Sequence, residues 1–406
     1  MNLLRQAIAE SLKKQADEEK YLAPEGSMEP ELKEDEIATI FAEYEQENAD
    51  LVDAMHIYAK LEEIEARAGN SSPEMIIYAV NEALVKVPEL QLDTVSMESA
   101  NDELTTEVAM LGLEDVKTKL KDFISGAMKT VKEKMSKIGR AVKDTFRTEY
   151  GRAKSMLEVL DQGKGMKDAA VKVSSGYVPY FQVNGKAISL QDGLKRMAAS
   201  SVYKNHKAIT GGFYAAAKDV TFDEAATVGT GVARASRAIL EGANAKMVKE
   251  VDGVRAGPDI TLYVADEGLP NGHKTVFAVK ESTQGGEDTT FLAWGRTIND
   301  GRKAKKLAGD ITLQLGESDA RTALKTIMQL SMNNDKQYDE YAKGYWDAIS
   351  AYWKMIDSNT FNGERALAIS RMEKNFFAMA AHLDGFFFAQ GSAYKAYVGA
   401  IKACMN

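Results

Sequence analysis

Apolar residues recur every three to four positions along most of this chain, and that spacing predicts helices. Leu3, Leu4, Ile8 and Leu12 mark a short amphipathic start. After the breaker run Ala23-Pro24-Glu25-Gly26-Ser27, a stripe of Ile37, Ile40, Phe41, Tyr44, Leu51, Val52, Met55, Tyr58 and Ile64 predicts a helix over about 31–68. Gly69-Asn70-Ser71-Ser72-Pro73 ends it, with Ser72 placed to cap the next helix and Pro73 at its first position. Pro88 closes that helix. Residues 89–106 carry no strong period, and a linker is expected at 99–112.

A second, longer stripe follows: Val116, Leu120, Phe123, Ile124, Ala127, Val131, Met135, Ile138, Val142 and Phe146. It predicts a long amphipathic helix within 113–165 whose other face is basic. Between 170 and 300 the period shortens. Residues 180–188 read as two extended pieces around Asn184-Gly185, a hairpin signal. Residues 260–264 and 275–279 read as a second hairpin, so 170–300 is expected to be a small α+β region. Helical spacing resumes at about 318–332, 336–357, 363–384 and 391–404, which suggests a C-terminal bundle over 301–406. Tyr338, Tyr341, Tyr345, Trp346, Tyr352 and Trp353 fall near helical spacing and are expected as core, in preference to a base-stacking platform. The fold class expected is mainly α.

Composition narrows the class. With 406 residues, 45% of them hydrophobic, the chain has material for two or three packed domains. The one cysteine, Cys404, excludes an intramolecular disulfide and a cysteine metal cluster. The first residues lack the continuous apolar core of a secretory signal. The longest apolar stretch, 376–389, is broken by His382 and Asp384 and is too short to span a bilayer, so no membrane span is expected.

Enzyme motifs are missing or incomplete. His56, His206, His273 and His382 form no HExxH pair, and neither a GxSxG elbow nor a phosphate-binding GxxxxGK[ST] loop occurs. Gly229-Thr230-Gly231 begins a dinucleotide fingerprint, but Arg234 occupies the third glycine position. Asp259 and Lys280 on paired strands resemble a metal-dependent nuclease arrangement. The second carboxylate such a site needs would stand at Ala278. No catalytic residue, cofactor or metal is therefore expected, and a nuclease built on 170–300 is kept as a competing reading.

Charge is what stands out. The formal net charge of −9 argues, as an average, against a nucleic-acid partner. Residues 1–98 hold 8 basic and 23 acidic residues, a net of −15, which leaves the rest of the chain at +6. Between Val116 and Lys154 there are twelve basic and four acidic residues, a net of +8 on one predicted helix. Lys117, Lys121, Lys132, Lys134, Lys137, Arg140, Lys143 and Arg147 are the residues expected to contact a DNA backbone by counterion release, without reading sequence. The same pattern suits a solvated face of a core helix, or a helix lying on a membrane surface.

At the charge boundary stands Ser96-Met97-Glu98, and Gly112-Leu113-Glu114 lies just before the basic helix. A small residue, any residue and Glu form the type of tripeptide cut by prohead maturation proteases. About eight such matches arise by chance in a chain of this composition, so placement carries the signal. With the acidic helical leader and the helix-rich body behind it, the chain resembles the internal head proteins of phiKZ-like giant tailed phages. The resemblance implies a prosegment removed after Glu98 or Glu114 by a prohead protease. It further implies a mature protein in the capsid interior, with packaged double-stranded DNA and other capsid-interior proteins as partners. A helical assembly or scaffold protein is a third reading.

Overall fold

The computed structural model describes residues 34–67, 72–86, 106–163, 165–183, 185–200, 240–251, 254–255, 260–265, 269–270, 274–280, 292–298, 310–357 and 387–405. Helix α1 spans Glu34–Arg67 and α2 spans Pro73–Lys86. Ser72 starts α2 as expected: the Met75 amide donates to the Ser72 carbonyl at 3.0 Å and lies 3.4 Å from its Oγ.

Helix α3 spans Thr106–Asp161, 56 residues, or about 84 Å at 1.5 Å per residue. It opens earlier than the sequence suggested. Ala109 and Leu113 are buried and extend the apolar stripe by two turns, so residues 106–112 are helix and not linker. Of the ten stripe residues, all are buried except Phe123 and Ala127, which are half-buried against the core.

The chain then leaves the helices and returns. Strand β1 (Val171–Lys172) pairs antiparallel with β10 (Thr312–Leu313), Val171 opposite Leu313, and closes the base of the excursion. Inside it, β2 (Gln182–Val183) and β3 (Lys186–Ala187) form the first expected hairpin, with Gly185 at φ +73 in the turn. Helix α4 (Leu190–Ala199) is capped by Ser189, whose Oγ accepts from the Asp192 amide at 3.1 Å. The short strands β4 (Lys246–Val248), β5 (Glu250–Val251) and β6 (Val254–Arg255) follow.

Next come β7 (Ile260–Ala265), β8 (Lys274–Lys280) and β9 (Leu292–Ile298). The second expected hairpin is β7–β8, and β4 and β9 flank it in an antiparallel sheet of order β4-β7-β8-β9.

Helix α5 spans Glu317–Asp357 without a break, although the sequence suggested two helices separated near Asn333-Asn334-Asp335. Tertiary bonds hold that polar run inside the helix. The Asn334 Nδ2 donates to Gln390 Oε1 at 2.9 Å and to Tyr394 Oη at 2.8 Å, and Asp335 pairs with Arg147. The last helix, α6, covers 387–403. The expected helix at 363–384 lies outside the described residues, as do the amphipathic start at 1–12 and the Gly229-Thr230-Gly231 run.

Among the described residues, the C-terminal helices share their core with α3. α5 and α6 pack on α3, and α1 and α2 cover its N-terminal half, so a single apolar core runs through all of them. Tyr338, Tyr341 and Tyr345 are buried there, which makes the aromatic stripe core packing. Helices account for 74% of the described residues, and the protein is mainly α with small antiparallel sheets.

Candidate nucleic-acid interface

Turning the apolar stripe of α3 inward sends its lysines and arginines to the flanks and the outer face. On one flank they meet α1, which carries eleven acidic and two basic residues. Lys134 Nζ lies 2.8 Å from Glu43 Oε2 and 2.6 Å from Glu47 Oε1. Lys117 pairs with both Glu62 and Glu65, and its ammonium sits 5.7 Å from the centroid of the Tyr58 ring. Each lysine is thus held between two carboxylates one helical turn apart. The two lysines are 17 residues apart, about 25 Å along α3, and the carboxylate pairs are spaced to match on an antiparallel α1.

The lysines lie mostly under their partners, which stay at the surface: the Lys117 and Lys134 side chains are 12% and 17% exposed, and Glu43 is 54% exposed. Burial pulls the Lys117 ammonium toward neutrality, but the hydrogen bonds and charges of Glu62 and Glu65 outweigh it and raise its pKa above the ordinary value. The same balance, with Glu43 and Glu47 as partners, raises Lys134. In return, the hydrogen bond and charge of Lys134 hold the Glu43 carboxyl below its usual range.

On the other flank α3 meets α5. Lys143 Nζ contacts both Asp339 carboxylate oxygens at 2.9 and 3.0 Å, and Arg147 lies 3.7 Å from Asp335 Oδ2. The Lys132 ammonium sits 4.8 Å from the centroid of the Trp346 ring. The outer face presents Lys119, Lys121, Lys129, Lys132, Lys137, Arg140 and Arg152 as exposed residues. Lys119 is bonded to Asp115 one turn back, and Arg152 to the buried Glu149.

The eight expected contact residues therefore divide. Lys117, Lys134, Lys143 and Arg147 are half-buried in ion pairs with α1 and α5, whereas Lys121, Lys137 and Arg140 are exposed, as is Lys132 beside the Trp346 ring. The partners Glu43, Glu47, Glu62 and Glu65 were not anticipated. Their i, i+4 and i, i+3 spacing beside the apolar stripe of α1 was the available signal.

Ser96, Met97 and Glu98 lie outside the described residues. Gly112, Leu113 and Glu114 fall within the first turns of α3, with Leu113 wholly buried. Proteases bind extended backbone, whereas this second tripeptide is helical. Asp259 is also outside the described residues. Lys280 stands opposite Ile260 and Leu292 in the sheet, and Ala278 opposite Leu262. Among the described residues, no three His, Cys, Asp or Glu side chains gather in a way that could hold a metal ion. No helix among them is long and apolar enough to cross a membrane. Cys404 is buried, which pushes its thiol pKa up.

Compared with models of known protein families, with curated proteins and with solved structures, the chain matches none.

Proposed function

We propose that this protein is an internal head protein of a large tailed phage. It is made in the host cytoplasm and packaged in the capsid interior. There a prohead protease removes the acidic leader after Glu98, and the body associates nonspecifically with packaged double-stranded DNA. The observation that carries this reading is the segregation of charge onto two structural elements: a leader of net −15 and, in the body, a 56-residue helix that is basic along its outer face. Cations distributed along a rod interact with a phosphate backbone through counterion release, which supplies affinity without sequence preference. Of the two candidate tripeptides, Ser96-Met97-Glu98 is favoured, because Leu113 is packed in the core.

A second reading is an assembly protein that binds other capsid-interior proteins through helix contacts. Met75, Tyr78 and Val85 on α2 favour it, because they are large apolar side chains left 65–72% exposed. Retention of random-sequence duplex DNA across a salt series separates the two. The proposed function requires retention that falls steeply with salt and is stronger once the leader has been removed. Salt-insensitive self-association without DNA retention supports the assembly role instead.

A further inference from the structure

We infer that α1 is an autoinhibitory element that competes with a polyanion for Lys117 and Lys134. This rests on the reading of α3 as a polyanion-binding helix, and it assigns how that binding is regulated. The carboxylate pairs Glu43/Glu47 and Glu62/Glu65 occupy the two lysines as phosphates would, with charge-assisted hydrogen bonds at matched spacing along α3.

Beneath these clamps lies an apolar seam. Leu51, Met55 and Leu61 of α1 are buried, as are Leu120, Ile124 and Val131 of α3. The seam sets the order of events. Surface ion pairs weaken with salt, but buried apolar contacts do not, so cutting the chain between α2 and α3 leaves α1 seated. Cleavage makes the leader removable, and dissociation of α1 is the step that exposes the lysines. By linkage, whatever polyanion binding gains from release of α1, α1 loses in its own docking when a polyanion is bound.

The test uses the full chain carrying E43Q/E47Q/E62Q/E65Q, with two readouts: hydrogen exchange of α1 and binding of random-sequence duplex DNA from 50 to 200 mM salt. The expected result is faster exchange in α1, roughly tenfold tighter binding at 50 mM salt, and a log–log salt slope steeper by about two for the two lysines released. A charge-matched control, E10Q/E18Q/E19Q/E25Q, is expected to give a smaller gain and an unchanged slope.

An equal gain in the control overturns the inference, as does release of α1 without tighter binding, or unchanged exchange together with unchanged affinity. Should the quadruple variant not fold, Leu51→Ala loosens the seam alone, and the same two readouts decide. If neither the parent nor any variant retains DNA at any salt, the reading of α3 itself fails. If the parent binds and the released variants bind no tighter, only the inference fails.

Discussion

Gly139 of α3 faces the ring of Tyr338 on α5 so closely that a Cβ at 139 would lie 2.8 Å from Cε1. The ring cannot swing clear, because it meets Phe387 edge-on at 5.2 Å and Tyr341 at 5.8 Å. Glycine inside a helix costs about 1 kcal/mol relative to alanine, so here close approach of two helices outweighs propensity. Gly139→Ala is expected to destabilise the protein by about 1–3 kcal/mol despite its better propensity. Urea unfolding followed by circular dichroism checks this, and a midpoint at or above that of the parent contradicts it.

Gly193 of α4 stands in a similar relation to Tyr397 of α6: a Cβ there would fall 2.0 Å from the phenolic oxygen, which donates to the Tyr180 carbonyl at 2.9 Å. Gly193→Ala should therefore cost more than 2 kcal/mol, in the range of overpacked cores. Removing the hydroxyl relieves most of the clash, so Gly193→Ala combined with Tyr397→Phe should be more stable than Gly193→Ala alone. A double-mutant cycle with no coupling would refute this account of how α4 docks.

Asn334 shows why the break expected in α5 is absent. Its amide serves two buried acceptors, Gln390 Oε1 and Tyr394 Oη. Asn334→Asp replaces the donor with an acceptor facing Gln390, and should destabilise by about 3 kcal/mol or more. Asn334→Gln should be milder. Thermal unfolding of the two variants, ranked in that order, is the check.

Docking of α1 should also depend on pH. Glu43 has its carboxyl pKa lowered by Lys134, so its contribution is fully present above the unfolded value of 4.5 and is lost as pH falls through the lower folded value. Lys117 and Lys134 have raised pKa values, so their contributions are present below the unfolded value of 10.5 and are lost as pH rises through the higher folded values. Limited proteolysis should therefore find α1 protected near neutral pH and progressively less protected as pH falls below 4.5. Protection that does not decline anywhere on the acid side contradicts the clamps.

Local pattern made much of this fold legible. The Ser72-Pro73 start, the Asn184-Gly185 hairpin and the apolar stripe of α3 are each specified by residues within a few positions of one another. What the sequence hid was tertiary. Asn333-Asn334-Asp335 looks like a turn until Arg147, Gln390 and Tyr394 are placed around it. The helical spacing of the C-terminal segments carries no sign that α3 contributes to their core. At the candidate interface, basic residues at the right period were visible. Which of them α1 and α5 would engage depends on how three helices face one another, and a single helical period does not encode that.

Under the proposed function, a leader is removed at the charge boundary. Intact-mass and N-terminal peptide analysis of this protein from purified phage particles tests it most directly. The account predicts a chain beginning at Ser99 and lacking α1 and α2. A chain in mature particles that retains Met1, with its leader intact, would contradict it.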